Sequence, residues 1–112
     1  MWQKIYLHLK SEDIDVYSIG QKQGLCDDPY VVVKESGQYS LGSNKQGYDL
    51  VDIIIFYPIG SYSQLFSYKN DIKNHLAELK YLRKTGNETP VIIDDEVKGY
   101  TTSIEYQVIK KF

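Results

Sequence analysis

Cysteine is all but missing. Cys26 stands alone in 112 residues, which excludes an intramolecular disulfide framework and points to a reducing compartment. Long hydrophobic runs are missing as well. The longest, Ile53–Ile59, falls far short of the roughly 20 residues that span a bilayer. The N-terminus from Met1 to His8 has neither a long apolar stretch nor a small-residue cleavage site, so neither a secretory leader nor a membrane partner is expected. There is no excess of positive charge. Thirteen Lys and Arg face fifteen Asp and Glu, a formal net charge of −2, which argues against a chain whose main task is gripping nucleic-acid phosphate. Nucleotide-binding glycine signatures are also absent. The segment from Gly42 to Gly47 has glycines at phosphate-loop spacing, but a strand follows it, so the helix N-terminus that would bind phosphate is lacking.

What is there suits a folded domain. Hydrophobic residues make up 42% and charged residues 25%, a balance that separates the chain from disordered sequences. The length fits a single domain over 1–112, with a radius of gyration of about 13 Å. Tyrosine is over-represented: eleven, against three Phe and one Trp. Its apolar body and polar tip suit half-buried surfaces and interfaces.

Periodicity places the elements. In residues 1–10, Trp2, Ile5 and Leu9 fit helical spacing while Ile5, Leu7 and Leu9 fit strand alternation, and a short helix is favoured. Residues 11–29 read as irregular, with Asp27-Asp28-Pro29 as a turn. Tyr30–Lys34 is β-branched and reads as a strand. The next thirteen residues, 35–47, are polar with three glycines and read as a long flexible loop of the kind that carries function. Tyr48–Tyr57 is a strand with two largely apolar faces, which predicts cover on both sides. Gly60-Ser61-Tyr62-Ser63 opens an amphipathic helix over 63–84, with Ser61 or Ser63 as N-cap and Gly86 as the C-terminal stop. Residues 90–94 and 100–110 form a closing hairpin. The expected fold is therefore α+β: a mostly antiparallel sheet of about four strands against one long helix, in the order (α)–β–loop–β–α–β–β.

Conventional chemistry is sparse. The reactive set is Cys26, His8 and His75. Asp27 and Asp28 follow Cys26, and their charge weakens a thiol as nucleophile. His75 borders the apolar stripe of the long helix and reads as a packed or half-exposed helix residue. The acidic clusters Asp27-Asp28 and Asp94-Asp95-Glu96 lack EF-hand spacing, and no His-x-x-x-His or Cys-x-x-Cys pair occurs, so neither a metal nor a cofactor is expected. The residues alone lead to a small α+β domain without catalytic function.

A family resemblance adds to this. Asp28-Pro29-Tyr30-Val31-Val32-Val33 leads into the polar loop. Tyr48-Asp-Leu-Val-Asp-Ile-Ile-Ile-Phe-Tyr-Pro58 follows, then the helix segment Ser63–Leu76 and the final strand Tyr100–Val108. This order over about residues 28–108 resembles the tail-terminator family of tailed bacteriophages, the tail-completion or head–tail joining proteins. The chain departs from it in its short N-terminal helix. The resemblance implies a structural virion protein, not an enzyme. Such proteins form a homo-oligomeric ring, commonly a hexamer, that caps the tail tube protein and meets the head connector or stopper. DNA passes through the lumen without specific binding. The implied location is the virion neck, with the host cytoplasm during assembly. On this reading Tyr39, Leu41, Ser43, Asn44 and Lys45 of the loop contact partners, and Tyr62, Phe66 and Arg83 pack subunit against subunit. The competing expectations are a small binding or regulatory module, such as a phage-encoded host-interaction or toxin–antitoxin component, and an enzyme built on Cys26, His8 or His75.

Overall fold

The computed structural model describes residues 2–18, 26–40, 46–60 and 62–111. Helix α1 (Trp2–Ser11) opens the chain, and Ile5 and Leu9, one turn apart, are fully buried. A left-handed cap ends it. Asp13 has φ 60°, its N–H donates to the Lys10 carbonyl at 3.2 Å, and the Ile14 N–H donates to the Leu9 carbonyl at 3.2 Å. Glycine usually fills that position; Asp tolerates it because its side chain is short and polar.

The chain then enters β1 (Val16–Ser18), which pairs in parallel with β2 (Tyr30–Ser40). This corrects the expectation of irregular structure throughout 11–29. Three residues are too few to show a period, but Val16 is buried opposite Val31, and the Val31 N–H donates to the Asp15 carbonyl at 2.9 Å.

β2 and β3 (Gln46–Pro58) form a long antiparallel hairpin. The expected loop over 35–47 is corrected with it. Its first part, Glu35–Ser40, continues β2 with a bulge between Glu35 and Gly37, and Gln46 and Gly47 already belong to β3. Only residues 41–45 connect the strands, and they lie outside the described residues. Backbone pairing extends the ribbon here although its polar sequence carries no apolar alternation.

Gly60, at φ 109°, turns the chain into α2 (Tyr62–Ala77), whose Leu65, Ile72 and Leu76 are buried. Ser61, one of the two cap candidates, lies outside the described residues. The helix stops well short of the expected residue 84. Turn bonds from the Leu79 N–H to Leu76 and from the Leu82 N–H to Leu79 lead into β4 (Leu82–Glu88). Gly86 is no helix stop; at φ 95° it lies where the β4 register shifts between Lys84 and Glu88. β4 and the short β5 (Ile92–Asp94) both pair with β6 (Gly99–Lys111), so the outer edge of β6 is satisfied by two separate strands.

The sheet therefore has six strands in the order β1-β2-β3-β6-β4 with β5 also on β6, and it is mixed, parallel at β1–β2. The α+β class holds. The expected four strands under one long helix do not: among the described residues there are two helices, the longer ends at Ala77, and its predicted tail is a strand. Among the described residues no helix is long and apolar enough to cross a membrane.

Alternation divides the sheet into two faces. Val31 and Val33, Val51, Ile53 and Ile55, and Ile104, Tyr106 and Val108 form the core with Ile5, Leu9, Leu65, Ile72, Leu76 and Leu82. The opposite residues of β3, Leu50, Asp52, Ile54 and Phe56, are only half-buried, so the expected cover on both sides of this strand is corrected to cover on one. The radius of gyration, 14.5 Å, exceeds the roughly 13 Å of a rounded domain of this length because the molecule is drawn out to 48 × 26 × 24 Å along the ribbon.

Gly99 is tightly placed. A Cβ there would stand 2.8 Å from the Cys26 Cβ and 3.1 Å from the Tyr57 carbonyl oxygen. Gly99→Ala is expected to destabilise the fold by about 1–3 kcal/mol through this overpacking. Ile53→Ala should cost about 2–5 kcal/mol as a core cavity, and Ile54→Ala on the half-buried face markedly less. Urea unfolding of the three variants checks the order.

Candidate functional site

The most distinctive surface lies at the end of the sheet where α2 begins. Pro58 pairs with Gly99 and Tyr57 with Tyr100, so β3 delivers the chain to the turn at Ile59-Gly60 beside the start of β6. The first turn of α2 then sets Tyr62 and Phe66 four residues apart on one helix face. Their rings meet edge to face at 5.0 Å, and Tyr62 meets Tyr100 at 5.3 Å. β5 adds Ile93 directly opposite Tyr100. Large apolar side chains remain open to solvent here: Ile59 is 48% exposed, Tyr62 50%, Phe66 42% and Ile93 55%. A contiguous apolar patch of this kind on a folded domain marks a contact surface more often than an accident of composition.

The sheet face turned away from the core is the second surface, and cross-strand ladders organise it. Tyr30 stacks on Phe56 with ring centres 4.7 Å apart, and Tyr17 of β1 meets Tyr30 edge on at 5.7 Å. Val32 and Ile54 form the next rung, and Lys34, Asp52 and Glu105 the one after. Glu105 accepts hydrogen bonds from Thr85 Oγ1 at 2.8 Å and Asn87 Nδ2 at 3.0 Å. Partial burial pushes the Asp52 carboxyl up from its ordinary range, with the Glu105 charge adding to the rise and Lys34 opposing it. Asp52 and Glu105 line a shallow polar cup with Gly86, Asn87, Thr89 and Ser103.

The expected site residues fall in different places. Tyr62 and Phe66 are brought together at the apolar end. Arg83 is not with them. It pairs with Gln107 on β6, seven positions along the strand from Tyr100, or about 23 Å. The structure thus brings Tyr62 and Phe66 together and sets Arg83 apart from them, on β4. Tyr39 pairs with Tyr48 within the hairpin ladder and belongs to a strand, not to a loop. Leu41, Ser43, Asn44 and Lys45 lie outside the described residues.

The reactive set is split. Cys26 is buried at the turn between β5 and β6, where its N–H donates to the Val97 carbonyl at 2.6 Å. His8 and His75 meet between α1 and α2, with His8 Nε2 2.8 Å from the His75 carbonyl oxygen. The Asp94-Asp95-Glu96 cluster makes a local turn, in which the Glu96 N–H donates to Asp94 Oδ1 at 3.0 Å. Two features were not apparent in the sequence: the apolar end as a whole, because Ile59, Ile93 and Tyr100 come from three separate segments, and the meeting of the two histidines. No family model matches the chain, and no curated protein matches it.

The helix face carries one well-formed ion-pair group. Glu88 of β4 accepts from Lys69 Nζ at 2.7 Å and Lys73 Nζ at 3.1 Å. The Lys69 hydrogen bond holds the Glu88 carboxyl below the usual carboxylate range; burial opposes it, and the Lys73 hydrogen bond and the charges of both lysines add to the lowering. A carboxyl lowered on folding stabilises the fold above its unfolded value, near 4.5, and this contribution fades as pH falls through the lowered value. The stability gap between the native chain and Glu88→Gln is therefore expected at neutral pH and should close in urea titrations as pH falls through the lowered carboxyl's range.

Proposed function

We propose that this chain is a non-catalytic structural subunit that associates with copies of itself into a ring, of the kind its resemblance to phage tail-terminator proteins implies. The ring would sit at the junction of tail tube and head connector. The observation that carries the reading is the exposed apolar end formed by Ile59, Tyr62, Phe66 and Ile93 around Tyr100. Aromatic side chains set beside aliphatic ones, with a charged turn at the edge, are the composition of an interface centre and its rim.

Two further features support it. The half-buried Tyr17, Phe56, Val32 and Ile54 of the outer sheet face, set around the buried Tyr30, offer a second apolar surface on the same subunit. A closed ring of identical subunits needs two different complementary surfaces on each copy. The β2–β3 hairpin stays paired out to Ser40 opposite Gly47, a long ribbon whose polar residues suit contact with a neighbouring molecule.

The reading is tested by the pair of changes Tyr62→Ser and Phe66→Ser, made separately in the gene of the source particle. Each is expected to weaken self-association by at least about tenfold, as loss of a central aromatic does, and to leave capsids and tails unjoined. Normal joining and unchanged light-scattering mass in both variants would rule out this end as the subunit contact.

A further inference from the structure

We propose that the facing C-terminal ends of α1 and α2 form a binding site for a zinc-class divalent cation, with His8, Glu12 and Glu78 as ligands and His75 beside them. His8 lies in the last turn of α1, and Glu12 follows that helix as its cap; His75 lies in the last turn of α2, and Glu78 follows it. The fold thus repeats one arrangement twice, an imidazole one turn before a carboxylate, and brings the two copies together. His8 Nε2 stands 3.2 Å from Glu78 Oε2, and His75 Nδ1 stands 3.7 Å from Glu12 Oε2. One ligating atom from each of His8, Glu12 and Glu78 lies within 4.8 Å of the others.

The chemistry favours a cation. Each helix C-terminus carries about half a negative charge, and two carboxylates are added to two such ends. Among the described residues no lysine or arginine pairs with Glu12 or Glu78; their ion-pair partners are the two imidazoles. Mixed imidazole and carboxylate donors suit zinc and its neighbours, whereas magnesium and calcium prefer oxygen alone. The site also combines a largely buried ligand with more exposed ones. The His8 side chain is 19% exposed, while those of Glu12 and Glu78 are 36% and 54% exposed. Tetrahedral zinc places its donors about 3.3 Å apart; His8 Nε2 and Glu78 Oε2 already stand 3.2 Å apart, so the remaining closure falls to Glu12. Binding through Nε2 moves the His8 proton to Nδ1 and replaces the bond to the His75 carbonyl. The cation would tie α1, which supplies Ile5 and Leu9 to the core, to α2.

The full chain, stripped with a chelator, is titrated with Zn²⁺ by calorimetry and melted with and without it. One saturable site per chain is expected, with a melting temperature raised by about 10 °C at a hundredfold excess over Kd. His8→Gln and Glu78→Gln should each weaken binding at least tenfold, while Cys26→Ser should leave it intact and so exclude the thiol as the holder. Melting without metal shows that each variant is folded, since both changed side chains lie outside the core. Absence of saturable binding, full binding in His8→Gln, loss of binding in Cys26→Ser, or an equal response to Mg²⁺ would each overturn the assignment.

Discussion

The ladder between β3 and β6 governs the rest of the molecule. It runs without a register shift from Gln46 opposite Lys111 to Pro58 opposite Gly99. Because side chains alternate along a strand, this single register decides which residues meet the helices. Ile53 opposite Ile104 and Val51 opposite Tyr106 face the core, and burial pushes the Tyr106 hydroxyl pKa up to about 12. A slip of one residue would set Asp52 beside Ile104 in the core and turn Ile53 to the outside. The helices, the edge strands and the two surfaces all take their positions from it.

The two strands of the ladder were legible but their pairing was not: Thr102, Ile104, Tyr106 and Val108 alternate with polar residues, and Val51–Tyr57 is apolar but for Asp52, yet no local pattern says which strands lie side by side. Other elements were hidden for physical reasons. β4 reads Leu-Arg-Lys-Thr-Gly-Asn-Glu, a sequence with little strand propensity, and Leu82 extends the helical stripe of Leu76 and Leu79. What makes it a strand is the open edge of β6, a tertiary demand that local spacing does not carry. The polar residues 36–40 are extended for the same reason: their partner strand continues beside them. β1 was too short to show a period at all.

The candidate surfaces follow the same division. Tyr62 and Phe66 could be singled out from helical spacing, whereas their neighbours Ile59, Ile93 and Tyr100 join them only through the register of β5 and β6. Arg83 lies apart from them because the helix expected to reach it ends at Ala77 and the chain re-enters the sheet as β4. His8 and His75 stand 67 residues apart, and no spacing rule within one segment finds a pair assembled from the ends of two helices.

A one-sided sheet with an exposed aromatic end fits a molecule that acts through its surfaces. Uncovered apolar area is costly in water, and an assembly relieves that cost by burying it. The most direct test is native mass spectrometry of the full chain over a wide range of concentration. The account predicts a discrete closed oligomer that dissociates only on dilution. A monomer at every concentration, alone and with purified tail tubes, would contradict it.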